Sequence, residues 1–591
     1  MPPPPTGVGG PSGSDTNVNI AVYDLTFSED SPQCEINSSV NSSKYNAAIT
    51  EDRHSISEKK QQQQPRLFEI ENAKVKMPGS SPVSDWYRGK SIFLTGATGF
   101  MGKVMLEKLL YSCPGIKNIY LLLRNKRGKT PQQRIEDMWK LPIFERLRSA
   151  QPDAIKKVIA LCGDVDSENL GLKTNDVELL AANVNIVFHM AATLKLEANL
   201  KDAIEQNTAG TARVIDICKQ IRKLDVFVHF STAFCSADVE VFEERVYENK
   251  DNPRDVINIT RWLNPDALEV ATPSIIAPHP NTYTYSKRLA ETLVADEKNN
   301  MPVCIVRPAI VIPAVEEPLP GWVDSLNGPI GLLAGAGKGV IRSMYCKGEN
   351  KGHFIPVDYA INASICIAYL VGAKKTKRNE VPVYNLTMYG LLPITYREII
   401  DRGRSIMYSS PFEMMIWYPD GDIRPSKTVH NIYSLFYHWI PAILIDMLML
   451  IFGQKTFMLR IQRKIYDGLN LLEFFSTREW NFRSEKFVAI PDQLSDRDRK
   501  EFPMNELIPL EEYMLRALLG TRQYCLKEDL SSLPRCRRNL KIFYVVHKVA
   551  VYGFYFYIIY LLSRYFTPLQ ILLDFVRTIL SYIPIIGYIF S

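Results

Sequence analysis

Leu94-Thr-Gly-Ala-Thr-Gly-Phe-Met-Gly-Lys103 is the stretch that decides the fold of this chain. It places Gly96, Gly99 and Gly102 between an apolar, strand-like run and a helical pattern. A glycine-rich turn between a strand and a helix lets backbone amides at the helix N-terminus hold a pyrophosphate. The stretch therefore predicts a dinucleotide site.

A second motif, Tyr283-Thr-Tyr-Ser-Lys287, supplies acid-base chemistry. Residues four apart on a helix share one face, so Tyr283 and Lys287 are expected to project together toward the cofactor. An ammonium near a phenol stabilises the tyrosinate form and can bind the nicotinamide ribose, which makes Tyr283 a proton donor. Tyr285 is predicted to pack elsewhere, because it lies only two positions from Lys287.

A hydroxyl completes the predicted catalytic group. Ser231-Thr232-Ala233 follows a predicted strand, and Thr232 is our candidate donor to the reacting carbonyl oxygen, with Ser231 as the alternative. The GxxGxxG spacing, a Ser or Thr and a Tyr-xxx-Lys motif are together similar to the short-chain dehydrogenases. Hydride transfer to or from a carbonyl is the predicted reaction class.

From Ser91 onward, short β-branched runs alternate with longer amphipathic ones, which indicates parallel βαβ units. The predicted fold class is α/β, a doubly wound parallel Rossmann sheet followed by a mainly helical C-terminal domain and membrane-associated apolar helices. The predicted strands are Ser91 to Leu94, Asn118 to Leu123, Val158 to Leu161, Asn185 to Phe188, Val226 to Phe230 and Val303 to Val306.

Residues just after the strands are read as cofactor contacts, because ligands bind at the carboxyl ends of such sheets. Arg124 opens a cationic cluster where an NAD site would carry an acid, which favours the 2′-phosphate of NADP over a merely solvated loop. Asp164 is either an adenine contact or a cap. His189 and Asn207 are assigned structural roles. The predicted cofactor-binding residues are Thr95, Gly96, Gly99, Phe100, Gly102, Arg124, Asp164, Ala191 and Lys287.

Composition excludes other classes of function. The 591 residues carry a net charge of +6, but 70 Lys and Arg are nearly matched by 64 Asp and Glu, and no basic run is interleaved with aromatics. Nucleic-acid binding is therefore not expected. The ten cysteines are scattered without a CxxC pair, so no metal site and no disulfide framework are predicted, and a reducing compartment fits.

The chain divides into four predicted parts. Residues 1–85 form a low-complexity arm that is expected to be disordered and carries no pattern of a cleavable signal peptide. Residues 86–390 form the NADP-binding Rossmann domain and residues 391–530 a second, C-terminal domain. Residues 531–591 are a predicted membrane anchor, either one span or a shallow hairpin, because basic residues precede the aromatic-rich apolar runs Val549 to Leu562 and Leu569 to Phe590.

A further apolar stretch, Ile432 to Gly453, has several possible roles. It is long enough to span a bilayer, but His438, Pro441 and Asp446 are costly inside one. A span, a monotopic embedded segment, and an apolar helix buried in the domain or lining an acyl tunnel all remain open.

Seven segments of the chain together form a recognisable pattern: Thr95 to Lys103, Phe188 to Ala192, His229 to Ala233, Tyr283 to Lys287, Val306 to Pro308, Phe474 to Phe482 and Leu519 to Tyr524. They resemble the motifs of the alcohol-forming fatty acyl-CoA reductases, and the resemblance covers residues 86 to about 527. Ile508-Pro-Leu510 departs from the Ile-Asp-Trp usual in that family, and the N-terminal arm is longer than the family needs.

The resemblance implies reduction of a long-chain acyl-CoA to a fatty alcohol by two NADPH, through an aldehyde held at one site. It also implies a membrane location, for which we expect the endoplasmic reticulum with the catalytic domain in the cytosol, and the peroxisomal membrane second. Two alternatives stay open: another membrane-bound dehydrogenase acting on a sterol or sugar nucleotide, and an inactive lipid-binding scaffold. The sequence leaves the oligomeric state open.

Overall fold

The computed structural model describes residues 32–34, 81–374, 380–388, 390–565, 571, 574–576 and 578. Most of the predicted N-terminal arm, residues 1–85, lies outside them. Its last residues instead begin the helix Pro82–Tyr87, which buries Val83 and Tyr87 against the domain. This helix begins a few residues before the boundary predicted at residue 86, and its two apolar side chains reach the core. Within the predicted arm the structure also describes the strand Pro32–Cys34, which pairs with Asn350–Gly352 and so departs from the expected disorder.

A seven-stranded parallel sheet forms the centre of the molecule. Six of its strands lie where the sequence predicts them. The seventh, Val383–Leu386, was not predicted, because four residues are too few to show a strand period. In spatial order the strands are Val383–Leu386, Val303–Pro308, Val226–Phe230, Val184–His189, Ser91–Thr95, Asn118–Leu123 and Val158–Cys162.

Both faces of the sheet are covered, as in a doubly wound fold. Along the strand Ser91–Thr95, Ile92 and Leu94 enter the apolar core on one face, whereas Phe93 enters the core on the other. This alternation follows from the two-residue period of a strand. The strand order reverses next to Ser91–Thr95, so the ligand crevice of such a sheet lies at the carboxyl end of that strand.

Helices make up most of the rest. The α-helices of the described residues are Pro82–Tyr87, Phe100–Ser112, Pro131–Trp139, Glu145–Ala150, Thr174–Asn183, Leu200–Ala203, Gly210–Cys218, Pro253–Trp262, Pro265–Ile276, Thr282–Asp296, Pro329–Gly337, Val357–Ala373, Tyr396–Ser409, Lys427–Ser434, Ile440–Ile451, Met458–Ser476, Glu485–Val488, Asp496–Glu501, Leu510–Gly520 and Leu533–Tyr565. Short strand pairs join Pro32–Cys34 to Asn350–Gly352, Ser343–Tyr345 to Asp422–Arg424, Phe354–Pro356 to Ile310–Ile312, and Asn481–Phe482 to Val241–Phe242.

Past the last sheet strand the chain is mainly helical, and hydrogen bonds tie this part to the sheet. Asn385, in the seventh strand, donates its side-chain amide to the carbonyl of Arg483 at 2.8 Å. Glu244 accepts from the backbone amides of Asn385 at 3.0 Å and of Lys486 at 2.6 Å. The helical part therefore packs directly on the end of the sheet.

The apolar stretch Ile432 to Gly453 folds as helix with a π-helical turn at Leu435–Trp439. Its polar side chains face the protein: His438 accepts from the amide of Arg342 at 2.8 Å, and Asp446 accepts from the amide of Met458 at 2.9 Å. Within Lys427–Ile451, only 22% of the most apolar 18-residue segment is buried. The possibility of a helix buried inside the domain is therefore wrong. The outward face carries Leu444, Met447, Leu448 and Ile451, all exposed.

The helix Leu533–Tyr565 contains the first predicted apolar run of the anchor. Only 6% of the most apolar 18-residue segment of this helix is buried. Within the described residues, it and Lys427–Ile451 are the two helices long and apolar enough to cross a membrane. The second predicted run, Leu569 to Phe590, lies almost entirely outside the described residues.

Candidate active site

The glycine loop joins the strand Ser91–Thr95 to the helix Phe100–Ser112. Gly96 has φ +75°, and a β-carbon there would lie 2.8 Å from the amide nitrogen of Ala191. A β-carbon on Gly102 would overlap the carbonyl oxygen of Gly96. No side-chain hydrogen bond caps the start of the helix, and its first residues, Gly99, Phe100 and Met101, line the crevice, so this helix start suits an anion.

Thr95, at the end of that strand, ties two loops together. Its hydroxyl oxygen accepts from the amides of Met190 and Ala191, each at 3.1 Å. The same hydroxyl lies 2.8 Å from Nδ1 of His189, whose Nε2 lies 3.0 Å from the hydroxyl of Thr211. Burial, and then the Lys287 ammonium, lower the pKa of His189 to about 3. The prediction that His189 is a satisfied core histidine is confirmed.

A cavity of about 630 Å³ opens at the carboxyl ends of the strands. Its lining contains every residue that the sequence predicts for catalysis or cofactor binding: Thr95, Gly96, Gly99, Phe100, Gly102, Arg124, Asp164, Ala191, Thr232, Tyr283 and Lys287. The cavity thus brings together residues that are up to 192 positions apart in the chain, from Thr95 to Lys287.

The tyrosine helix, Thr282–Asp296, starts at a cap in which the Asn281 side chain accepts from the amide of Thr284 at 2.9 Å. Tyr283 and Lys287 both line the cavity, as their spacing predicts. Lys287 donates to the carbonyl of Phe230 at 2.7 Å, and burial lowers its pKa to about 8. Tyr285 points away and donates to Asp251 at 2.8 Å, which confirms its separate packing.

Behind the lysine lies a buried ion pair that the sequence did not reveal. Glu291, one turn beyond Lys287, accepts from Nη2 of Arg307 at 2.6 Å and from Nε at 2.8 Å. Cys235 donates its thiol to the same carboxylate at 3.3 Å. The i, i+4 spacing of Lys287 and Glu291 could have indicated that Glu291 lies near the site. Nothing in the sequence indicated its partner, because Arg307 lies on a separate element. The pair fixes the tyrosine helix against the end of the strand Val303–Pro308.

Asn207 also holds the tyrosine helix in place. It lies in a π-helical segment, Ile204–Ala209, an irregularity often found at functional sites. Its side chain accepts from the amide of Thr193 at 2.8 Å and donates to the hydroxyl of Ser286 at 2.9 Å. The structural role predicted for Asn207 is therefore confirmed, since it links a cavity loop to the helix of Tyr283.

Thr232 and Ser231 both line the cavity. The Thr232 hydroxyl accepts from the amide of Phe234 at 3.3 Å, which orients it at the end of the strand. Beside it, Phe234 meets Trp480 edge to face at 5.3 Å between ring centroids and Phe482 at 5.1 Å. Tyr283 belongs to the same buried cluster. The segment Phe474 to Phe482 thus forms an aromatic wall behind the hydroxyl groups.

Cations gather at the far end of the cavity. Arg124 pairs with Asp164 at 3.0 Å, and both line the cavity together with Lys126 and Arg134. Arg134 donates to the carbonyl of Arg124 at 2.7 Å and to the hydroxyl of Thr98 at 2.9 Å. Burial and then the charge of Arg124 lower the pKa values of both Lys126 and Arg134. Sequence reasoning missed Arg134, because only the helix Pro131–Trp139 turns it back toward the glycine loop.

This chain is similar to known proteins over most of its length. Residues 94–364 match the NAD-binding family described as male sterility protein, and residues 437–528 match the Sterile family of the same description. Fatty acyl-CoA reductase 1 of Xenopus laevis is 35% identical over 459 residues, which cover 78% of this chain and 89% of that protein. Fatty acyl-CoA reductase wat of Drosophila melanogaster is 35% identical over 477 residues, 80% of this chain and 92% of that protein.

Among solved structures, the reductase domain of a nonribosomal peptide synthetase from Mycobacterium tuberculosis aligns with a TM-score of 0.49 at 17% identity. The alignment covers 76% of this chain and 93% of that one. The sequence relatives are decisive, because they span nearly their full length at more than a third identity. This chain belongs to the fatty acyl-CoA reductase family.

Proposed function

We propose that this protein reduces long-chain fatty acyl-CoA to fatty alcohol with NADPH and releases CoA. The observation that carries the proposal is a single cavity that holds a tyrosine and lysine pair, a strand-end hydroxyl and an anion-binding end. The relatives named above are fatty acyl-CoA reductases, which favours this function over a sterol or sugar-nucleotide dehydrogenase and over an inactive scaffold.

The residues of the cavity suit a bound dinucleotide. The uncapped helix start and the glycine loop suit the pyrophosphate, Ala191 and Asp164 suit the adenine side, and Lys287 suits the nicotinamide ribose. We propose NADPH rather than NADH, because Arg124, Lys126 and Arg134 offer guanidinium and ammonium groups for a 2′-phosphate. Arg134 is therefore added to the predicted cofactor residues.

Bound NADPH supplies the hydride in each of two reduction steps. In the first step, the hydroxyls of Thr232 and Tyr283 donate hydrogen bonds to the thioester carbonyl oxygen and stabilise the oxyanion that forms there. When the oxyanion collapses, CoA leaves as thiolate and an aldehyde stays in the cavity. In the second step, Tyr283 gives its proton to the alkoxide, and the Lys287 ammonium stabilises the tyrosinate that remains.

We place this reaction at a membrane surface. The outward face of Ile440–Ile451 carries Leu444, Met447 and Leu448, whereas its polar residues are bonded inward, a pattern that suits monotopic embedding. The helix Leu533–Tyr565 adds a second exposed apolar surface. A membrane location suits the reaction, because the acyl chain and the alcohol both partition into bilayers. Of the possible membranes we propose the endoplasmic reticulum, with the catalytic cavity on the cytosolic side, and the peroxisomal membrane second.

We also propose a division of labour along the chain. The part up to about residue 390 holds the cofactor, the part from 391 to 530 closes the substrate side, and the part from 531 anchors the protein. Support comes from the aromatic wall, which brings Trp480 of the second part against Phe234 of the first.

The decisive experiment compares Tyr283→Phe with the matched control Tyr285→Phe in membranes, with a long-chain acyl-CoA and either NADPH or NADH. Alcohol formation should fall about 10²- to 10⁴-fold in Tyr283→Phe, the range of a lost general acid, and stay within about twofold in the control. The parent should prefer NADPH. A parent that forms neither aldehyde nor alcohol would favour the scaffold alternative, and equal rates in both variants would remove Tyr283 from the mechanism.

A further inference from the structure

Two apolar cavities continue from the cofactor cavity into the helical part of the protein. The near compartment, about 220 Å³, shares Pro329 and Ile330 with the lining of the cofactor cavity. The far compartment, about 200 Å³, adjoins the cofactor cavity at Gly328 and Pro329 and shares six residues with the near one: Pro329, Leu333, Phe354, Ile399, Gly403 and Met514. Ile312 and Phe354, which line the near compartment, pack against the buried cluster that contains Tyr283. The two compartments therefore lie side by side next to the cavity that holds the predicted catalytic residues.

The near compartment is suited to a hydrocarbon. Most of its lining is Ile, Leu, Pro and Met. Its two phenols are already engaged with backbone carbonyls: Tyr359 donates to Glu506 and Tyr513 donates to Pro313, each at 2.7 Å. A cavity whose polar groups are bonded elsewhere does not hold water well and favours an apolar occupant.

Gly403 lies where the two compartments meet. It is in the interior of the helix Tyr396–Ser409, where glycine costs about 1 kcal/mol relative to alanine. Its backbone is helical, so no left-handed conformation requires a glycine there. A β-carbon on Gly403 would lie 3.1 Å from the terminal methyl of Met514. The missing side chain therefore leaves open the space between the helix and Met514.

We propose that the near and far compartments are the acyl-chain channel, and that Gly403 opposite Met514 is the constriction that sets the chain length accepted. This inference rests on the proposed function. A short acyl chain fits within one compartment, whereas a long chain needs the space of both and must cross between them at Gly403. The far compartment is also lined by Ile423 and by Leu472 of the helix Met458–Ser476.

The test is the chain-length profile of Gly403→Leu, measured as kcat/KM for alcohol formation from decanoyl-CoA and from stearoyl-CoA. The ratio for stearoyl over decanoyl should fall about tenfold or more, since even one misplaced methylene in an apolar pocket costs on this order. Decanoyl-CoA should stay within about threefold of the parent. The matched control is Ser405→Leu, which adds the same side chain at an exposed position of the same helix.

A second variant, Leu333→Phe, narrows the channel from the opposite helix and covers the case in which Gly403→Leu does not fold. An unchanged ratio in a folded Gly403→Leu or Leu333→Phe protein, with an active parent, overturns the channel but leaves the proposed function standing. A parent inactive on every acyl-CoA overturns the proposed function instead. In that case, calorimetry tests the channel through equilibrium binding of stearoyl-CoA and decanoyl-CoA. The ratio of the affinity for stearoyl-CoA to that for decanoyl-CoA should then fall in Gly403→Leu.

Discussion

Lys287 lies where its charged form is costly. It is almost completely buried, and its hydrogen bond to the carbonyl of Phe230 offsets only part of the lost hydration. The neighbouring Glu291 would favour the ammonium, but that carboxylate is already paired with Arg307. The net result is a pKa lowered to about 8, close to the pH at which the group must act.

A pH dependence follows at this residue. Alcohol formation should fall as the pH rises through about 8, because the ammonium that stabilises tyrosinate is lost. Stability should change in the opposite direction: between about 8 and 10.5 the unfolded chain keeps this proton and the folded chain does not, so this group makes unfolding less favourable as pH rises.

The measurement is a pH profile of kcat/KM together with melting temperatures over the same range. Lys287→Met should be slow at every pH and should lose the rise in stability that the parent gains above pH 8. An alkaline fall in rate that persists unchanged in Lys287→Arg would assign the titration to another group.

At the scale of elements, the glycine loop and its helix act as one unit. Gly102 packs the first turn of the helix Phe100–Ser112 onto the carbonyl of Gly96, with no space for a β-carbon. Gly99 differs, because a β-carbon there would meet only that carbonyl, at 3.3 Å, and would otherwise enter the cofactor cavity. Packing therefore requires a glycine at position 102, whereas Gly99 leaves room for a ligand in the cavity.

Gly102→Ala should therefore destabilise the protein by about 1–3 kcal/mol, the cost of overpacking, and abolish NADPH binding. Gly99→Ala should leave the melting temperature nearly unchanged and weaken NADPH binding, because its methyl group narrows the proposed pyrophosphate site. Thermal melts and NADPH fluorescence titrations check both. A Gly102→Ala protein as stable as Gly99→Ala would contradict the packing argument.

The whole molecule presents two exposed apolar surfaces, on Ile440–Ile451 and on Leu533–Tyr565. The C-terminal helix is also fastened to the domain through its first half, where Trp417 donates to His547 at 3.2 Å and Arg537 donates to the carbonyl of Ser409 at 2.6 Å. Exposed apolar surface of this extent indicates a membrane or a partner rather than free solvent.

Removal of both surfaces should release the protein from membranes. A chain ending at Lys548, with Leu444, Met447, Leu448 and Ile451 changed to Ser or Gln, should move to the soluble fraction and reduce acyl-CoA in detergent. The truncation alone, or the four substitutions alone, should leave the protein in the membrane pellet after a high-salt wash, because either apolar surface suffices for membrane binding. The control changes the exposed Ile259, Trp262 and Val270 in the same way. If the control is also released, or the double variant is retained, the assignment of these surfaces is wrong.

Much of the cofactor half could be predicted from sequence because its signals are local. A strand, a glycine turn and a helix N-terminus are consecutive in the chain, and Tyr283 and Lys287 share a helical face by spacing alone. Arg134 and the pairing of Glu291 with Arg307 could not be predicted, since each depends on how separate elements meet. The seventh strand, Val383–Leu386, becomes evident only when it pairs with Val303–Pro308.

The sequence by itself therefore determined the doubly wound sheet, the family and the residues that line the cavity at the strand ends, because backbone periods and short motifs encode them. Only the tertiary structure decided that His438 and Asp446 point inward while the apolar side chains around them point outward. It alone also showed the two apolar cavities that meet at Gly403, whose walls come from residues 312 to 518. In the sequence, the residues that line these cavities cannot be distinguished from other apolar core residues. A cavity forms only when separate elements pack against one another, so the sequence alone does not reveal it.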